Sequence, residues 1–159
     1  MIRNDFLLRQ IEQFGAFLRK LLSAREAGIA AAEVQSLLEG ECLTFTGLTL
    51  EALSETPAEA LVSRFLMNAN QAPGRLYAAG RVLAEVAELD LLDGNLLRAR
   101  ERYLDAVRLV AFGAAQVEDE EARELFVTAL EDLNGRGHRF PLDDAGESEI
   151  AELVGRFVS

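Results

Sequence analysis

The sequence predicts an all-α fold of about seven helices, and three observations carry this prediction. Apolar residues recur every three or four positions along most of the chain, glycine or asparagine separates these runs, and segments rich in β-branched residues are nearly absent. The chain has 159 residues, half of them hydrophobic, which is enough for one domain with its own core. We therefore predict a single helical domain over residues 1–159.

The first predicted helix covers residues 5–27 and has the clearest periodicity. Its apolar residues on one face are Leu7, Ile11, Phe14, Leu18 and Leu21. Asn4 or Asp5 is the candidate cap at its start. Gly28 follows at a position where helices commonly end in a left-handed residue. We predict a second helix from Ala30 to Glu41.

The middle of the chain is less regular. Thr44–Gly47 has a β-branched and aromatic bias but is short, so we predict a loop. Thr56-Pro57-Ala58-Glu59 has the pattern of a capping box with proline at the first helical position, which predicts the start of another helix.

The sequence of the second half of the chain predicts two longer helices, followed by acidic helices. We predict a helix pair over residues 75–115, with a turn at Asp93-Gly94-Asn95 between its two helices. Acidic helices then cover residues 119–158, with Asp119 as the candidate N-cap of the first. We expect a break at 134–137, and either Asp144 or Ser148 as the start of the closing helix.

Composition excludes several classes of protein. The chain has 27 acidic and 16 basic residues and a net charge of −11, so it repels nucleic-acid phosphates and anionic membranes. No apolar run approaches about 18 residues, and the charged start does not resemble a signal peptide, so we expect a cytoplasmic protein. With one cysteine and one histidine, we expect neither a disulfide nor a metal or other cofactor.

A pattern of small and aromatic residues lies within residues 94–109. Gly94 is followed by Ala99 after five positions, by Tyr103 after four more, and by Ala106 after three more. This spacing resembles the second half of a tetratricopeptide repeat. The resemblance implies that the small residues let two antiparallel helices approach, and that the aromatic ring fills the space between them.

The preceding helix resembles the first half of such a repeat. Leu83 is at a large apolar position and Ala87 at a small one, whereas Asp90 and Ala111 replace the usual tyrosine and proline. The resemblance implies a short array of antiparallel helix hairpins. An ordinary antiparallel helix pair is the alternative interpretation.

A second resemblance rests on three short segments: Met1-Ile2-x-Asn4-Asp5-Phe6, Ile11-Glu12-Gln13, and Phe140-Pro141-Leu142 before the closing helix. They resemble an uncharacterised bacterial family of all-helical, tetratricopeptide-like proteins. The resemblance implies a fold, and it supplies no catalytic residues because no activity is established for that family.

Two sets of charged residues are candidates for binding. Arg98 and Arg102 lie on one predicted helix among acidic residues, so they form ion pairs or, alternatively, a patch that grips an acidic peptide. Asp90 lies on a predicted apolar face. Glu85 and Glu88, one turn apart, are expected on the solvated surface.

The fold favours a non-catalytic protein–protein interaction module, because stacked helix hairpins leave a concave face that binds peptides or subunits. An enzyme or small-molecule binder with an inter-helix pocket near Asp90 is the alternative. In a third interpretation, the acidic surface docks on a basic partner. The broad apolar stripe of the first helix also allows a two-fold homodimer. We assign no catalytic, cofactor-binding or metal residue.

Overall fold

Eight α-helices make up most of the chain in the computed structural model, which describes residues 2–158. They are α1 (Ile2–Glu26), α2 (Ala31–Thr46), α3 (Leu50–Glu55), α4 (Ala58–Leu66), α5 (Ala72–Leu92), α6 (Leu96–Gln116), α7 (Glu120–Arg136) and α8 (Asp144–Gly155). A 3-10 helix, Gly137–Arg139, follows α7, and no strand occurs among the described residues. The all-α prediction is therefore confirmed.

Helix α5 forms the centre of the fold, and most of its 21 residues are buried. This burial follows from its sequence, because alanine, valine and leucine occur on all sides of the helix. Its Tyr77 ring packs edge-on against Phe126 of α7, with ring centroids 5.2 Å apart, and against Phe14 of α1 at 6.3 Å. Helices α1 and α7 therefore flank α5.

The flanking helices run in the same direction as α5, whereas α6 runs against it. Gln10 of α1 lies near the start of α5 and Arg25 near its end. The opposite order holds for α6, whose Arg102 contacts Asp90 near the end of α5. Helices α5 and α6 thus form the antiparallel pair that the sequence predicts over residues 75–115.

The close contact between α5 and α6 depends on Gly80. A Cβ atom there would lie 2.5 Å from Cγ2 of Val110 and 2.9 Å from the carbonyl oxygen of Ala106. Gly94, which the resemblance assigns to this close packing, instead occupies the exposed turn with φ 76°. The Asn95 amide donates to Asp90 and the Gly94 amide to Leu91, which is the Schellman pattern that ends α5.

Tyr103 anchors the end of α7 to α6. Its side chain is fully buried, stacks on Phe140 at a centroid distance of 4.5 Å, and donates a hydrogen bond of 2.8 Å to the carbonyl oxygen of Leu133. Burial raises the pKa of Tyr103 to about 12, so the hydroxyl stays protonated as a donor.

Replacing Tyr103 with phenylalanine should lower the free energy of unfolding by about 1–2 kcal/mol, because a buried carbonyl oxygen loses its donor. Urea unfolding followed by circular dichroism at 222 nm measures this change. Tyr77→Phe is the matched control, since the Tyr77 hydroxyl makes no hydrogen bond to the described residues. Equal losses in both variants would contradict the role of this bond.

Three predicted boundaries are wrong, each because packing or a side-chain bond overrides the local pattern. Helix α2 continues through the predicted loop to Thr46, whose hydroxyl donates to the carbonyl oxygen of Cys42. The Thr56 hydroxyl donates backwards to Ala52, so it ends α3 and does not cap α4. Helix α7 runs to Arg136 through the predicted break, because Arg136 is held by ion pairs to the neighbouring helix.

The helix starts agree with the sequence in part. The Asp119 carboxylate accepts a 3.0 Å hydrogen bond from the Ala122 amide, as predicted for the cap of α7. Helix α8 is capped by Asp143, one residue before Asp144, the earlier of the two predicted starts. Helix α1 begins before Asn4, so neither candidate cap precedes it.

Met1 of the opening motif lies outside the described residues. No described helix has the length and apolarity needed to cross a bilayer.

Candidate functional site

Three carboxylates are buried in the central helix. Glu85, Glu88 and Asp90 of α5 are exposed by 5%, 9% and 8%. The expectation that Glu85 and Glu88 lie on the solvated surface is therefore wrong. A charge on a buried helix is stable only with a partner of opposite sign, so each of these residues identifies a specific contact between helices.

Two arginines from different helices hold Glu85. Its Oε1 atom lies 2.6 Å from Nη1 of Arg25 in α1, and its Oε2 atom accepts a 2.6 Å hydrogen bond from Nη1 of Arg136 in α7. Arg136 also donates to Asp132, which in turn accepts from Arg81 of α5. The network therefore ties α1, α5 and α7 together.

Glu88 lies one turn further along α5 and has a different partner. Its Oε1 atom is 2.6 Å from Nη2 of Arg139, in the 3-10 helix, and 3.9 Å from Nη1 of Arg136. Burial raises the pKa of Glu88 and the neighbouring Glu85 adds to this, whereas Arg139, Arg136 and Arg25 oppose it. The net direction is upward, so the fold disfavours the ionised form of this carboxyl.

A pH-dependent effect of Glu88→Gln follows from this shift. Because the folded pKa exceeds the unfolded value, the penalty for ionised Glu88 is present at neutral pH and disappears as the pH falls towards 4.5. The stability of the variant relative to wild type should therefore rise between pH 4 and pH 7. Chemical unfolding across this range measures it, with exposed Glu59→Gln as the control. A difference that does not change with pH would refute the assignment.

These contacts join four arginines and three carboxylates into one group, which we call the arginine cluster. Its arginines outnumber its carboxylates by one. Its members are Arg25, Arg81, Arg136, Arg139, Glu85, Glu88 and Asp132. The Nη2 atom of Arg25 is buried and has no hydrogen-bond partner among the described residues. The burial of Arg136 lowers its pKa, but the carboxylates of Glu85, Asp132 and Glu88 together raise it above the ordinary value. The Arg136 guanidinium therefore remains charged at neutral pH.

A groove of about 870 Å³ lies over the arginine cluster. Helix α5 is its floor, from Tyr77 to Glu88, which spans about 16 Å of helix. Helix α1 contributes one wall, including Leu22 and the exposed Arg19, and α7 contributes the other. We call this the basic groove.

A second groove, of about 430 Å³ and mainly apolar, adjoins the basic groove at the end of α5. The two share the lining residues Arg25, Glu88 and Arg139. The apolar lining of the second groove is Ile29, Ala31, Val34, Leu89, Leu91 and Leu92. We call it the apolar groove. Together the two grooves present charged and apolar surface side by side.

Exposed leucines flank the turn between α5 and α6, and the first of them, Leu92, lines the apolar groove. Leu92, Leu96 and Leu97 are exposed by 76%, 53% and 65%. Single exposed leucines are ordinary, but three of them within six residues of one turn provide apolar surface of the kind that binds another molecule, and Leu92 among them lines the groove.

The predicted binding residues lie on the other side of α5. Arg102 donates a 2.6 Å hydrogen bond to Asp90 and lies 3.6 Å from Glu55, so its charge is largely neutralised within the α5–α6 contact. Asp90 is thus the partner of the predicted binding arginine. Arg98 is exposed on α6 and lines a groove of about 570 Å³ with Arg102 and Arg108. The structure does not bring Arg98 or Arg102 to the arginine cluster.

The predicted repeat-packing residues are buried except for Gly94. The buried ones are Leu83, Ala87, Ala99, Tyr103 and Ala106, of which Ala106 lies against Gly80 of α5, whereas the Tyr103 ring packs on Phe140 and bonds the end of α7. Residues that the sequence analysis did not single out, above all Gly80, make the closest backbone approach. The sequence did contain a signal for this close approach. Glycine in the middle of a helix lowers the stability of that helix, so its presence there indicates that a neighbouring backbone packs closely against it.

The single cysteine, Cys42, and the single histidine, His138, line neither groove. Burial raises the pKa of the Cys42 thiol, which contacts Thr46. The Nδ1 atom of His138 lies 3.0 Å from the carbonyl oxygen of Gly135. Among residues 2–158, no group of three His, Cys, Asp or Glu side chains is arranged to hold a metal ion.

Comparisons with family models, curated proteins and solved structures find no match to this chain.

Proposed function

We propose that the protein is a non-catalytic module that binds another protein chain. The observation that carries the proposal is the exposure of Leu92, which lines the apolar groove, together with that of Leu96 and Leu97 across the turn that follows it. A partner that covers these leucine side chains removes their apolar surface from water, which favours association. Arg139 borders the same groove and offers a charged contact next to the apolar ones.

A tetratricopeptide-like pairing of α5 and α6 is part of this proposal. It is supported by the close approach at Gly80, where the helix of Ala106 lies against α5, and by the burial of Tyr103. Such pairs commonly serve as scaffolds for peptide binding. The membership in a bacterial helical family and the cytoplasmic location remain predictions of the sequence.

A small-molecule binder is the second candidate, with its pocket at Glu88 in place of Asp90. Glu88 is a buried carboxyl with a raised pKa that lines both grooves, a combination found at many ligand sites. Its contact with Arg139 favours a structural ion pair over proton transfer, so we rank this candidate second.

The experiment compares three versions of the chain as bait for partners in an extract of the source cells. These are wild type, the variant Leu92→Ser/Leu97→Ser, and the control variant Leu66→Ser/Met67→Ser. The control changes exposed apolar residues at the end of α4, which precede the start of α5 and are therefore far from Leu92 along the chain. Each captured protein is then purified and its dissociation constant is measured with all three versions.

We expect one partner to bind wild type and control alike and to lose at least about tenfold in affinity for the Leu92/Leu97 variant. The apolar part of the binding should persist from about 0.05 M to about 0.5 M salt, whereas a purely electrostatic contact would be lost as the charges are screened. Equal binding by all three versions would contradict the proposed surface.

A further inference from the structure

We propose that the partner segment is acidic and apolar: a peptide whose carboxylates lie on the arginines of the basic groove while its leucine-like side chains fill the apolar groove. This inference rests on the proposed function and specifies the chemistry of the partner at the same surface. It depends on the charge of the basic groove, the position of the apolar groove, and a contrast with the other grooves of the molecule.

The basic groove is a place where arginines outnumber acids in a chain that is acidic overall. Its lining has five arginines against four acids: Arg19, Arg25, Arg81, Arg136 and Arg139, with Glu85, Glu88, Glu131 and Asp132. The whole chain has the opposite balance, with 16 basic and 27 acidic residues. A partner carboxylate would supply the negative charge that the arginine cluster lacks, and arginine is well suited to bind it.

Two of these arginines are accessible to a partner. The side chain of Arg139 is 46% exposed although it contacts Glu88, and Arg19 is exposed and makes no ion pair with the described residues. Arg25 and Arg136 are less exposed, at 24% and 21%, because they hold Glu85. Arg19 and Arg139 are therefore the side chains that would contact an incoming carboxylate first.

The apolar groove lies directly beside this charge, because Arg25 and Arg139 line both grooves. An aliphatic side chain buried between Ile29, Val34 and Leu92 would bring a neighbouring carboxylate of the same peptide within reach of Arg139. An apolar anchor surrounded by charged contacts is the usual arrangement of a tight interface. A partner with only one of the two properties would leave half of the surface unmatched.

The other grooves have the opposite balance of charge. The groove beside α6 has four arginines and five acids, and its Arg102 and Arg108 are already paired with Asp90 and Glu149. A groove of about 460 Å³ between α1 and α7 contains four glutamates: Glu12, Glu121, Glu124 and Glu131. An acidic peptide is repelled there, so its carboxylates should lie towards the Arg139 end of the basic groove.

The test uses three fluorescein-labelled synthetic peptides of about 15 residues with one pattern of positions. The first combines glutamate and leucine, the second replaces every glutamate with lysine, and the third replaces every leucine with serine. Fluorescence anisotropy with the purified full chain gives each dissociation constant. We expect the glutamate–leucine peptide to bind at least about tenfold more tightly than either of the others.

Arg19→Gln/Arg139→Gln should weaken this binding by at least about tenfold, and Leu92→Ser/Leu97→Ser should do the same. The matched control is Arg98→Gln/Arg100→Gln on α6, which should change binding by less than about twofold. Circular dichroism and thermal unfolding verify that each variant is folded. Preference for the lysine peptide, or equal effects of the two arginine pairs, would overturn the inference.

The outcomes also separate this inference from the proposed function. If the Leu92/Leu97 change abolishes binding of a captured protein but the peptides show no preference for glutamate, the interaction surface stands and the acidic chemistry is wrong. If sedimentation shows that the chain alone is a dimer that the Leu92/Leu97 change dissociates, the occupant is a second copy, which also overturns the inference.

Discussion

Replacing Gly80 with alanine is expected to lower the free energy of unfolding by about 2–3 kcal/mol, although alanine is the better helix former. The new methyl group would meet the Cγ2 atom of Val110 at 2.5 Å and the carbonyl oxygen of Ala106 at 2.9 Å. A side chain can rotate away, but the backbone carbonyl cannot, so α5 and α6 have to separate. Since this contact lies at the centre of the core, the strain spreads to both helices.

The matched control for this prediction is Gly40→Ala. Gly40 lies in the interior of α2, is exposed, and has no atom within 4 Å of its Cβ position. There the substitution should raise the free energy of unfolding by about 0.5–1 kcal/mol through helix propensity alone. Urea denaturation of both variants measures the contrast. Stabilisation by both alanines would mean that the helices are not in close contact at Gly80.

A double-mutant cycle locates the origin of the strain. Val110→Ala removes the nearest side-chain atom but leaves the carbonyl oxygen of Ala106 in place. The double variant Gly80→Ala/Val110→Ala should therefore be more stable than the sum of the single changes predicts, while it remains less stable than wild type. Strict additivity would place the clash elsewhere.

Replacing Glu85 with alanine should lower the free energy of unfolding by about 3 kcal/mol. The change removes the carboxylate between Arg25 and Arg136, whose side chains are mostly buried. Each guanidinium then lies in the groove without its main partner. The loss should appear as a lower urea midpoint with an unchanged dependence on denaturant, because the fold is retained.

Glu152→Ala is the control for an ion pair on the surface. Glu152 lies 2.6 Å from Arg156, the same separation as in the Glu85 pairs, but its side chain is 67% exposed. Water and salt screen such a pair, so its removal should change stability by less than about 0.5 kcal/mol. If both variants lose the same stability, burial would not be the reason for the strength of the Glu85 contacts.

The helices that sequence analysis located best are those whose signals are local. The apolar face of α1 and its end at Gly28 follow from spacing and from a glycine with φ 82°. The turn at Gly94 between α5 and α6 was equally clear. Of the boundaries that were wrong, the end of α7 depends on ion pairs to another helix that a short segment does not contain. At Thr46 and Thr56 the hydroxyl bonds a carbonyl oxygen four residues back, and the choice between this bond and a loop or a cap is not fixed by residue type.

The arginine cluster was not predicted because its members are far apart in the sequence. Arg25, Glu85 and Arg136 meet only when three helices pack. One signal was nevertheless present: residues 76–89 are apolar on nearly every side of the helix, which indicates complete burial and therefore a partner for any glutamate within it. From their spacing alone, Glu85 and Glu88 were predicted to lie on the solvated surface, and the apolar residues around them were not taken into account.

The buried ion pairs of α5 also determine how its neighbours align along it. Leucine-rich helix surfaces pack nearly as well after a shift of one turn, about 5.4 Å, so apolar contact alone discriminates weakly between registers. Such a shift would separate Arg25 and Arg136 from Glu85, which leaves the buried Glu85 carboxylate without either partner, while Arg136 keeps only Asp132 of its own helix. We therefore expect a chain in which this cluster is replaced by aliphatic residues to stay helical and stable, while α1 and α7 slide among several alignments.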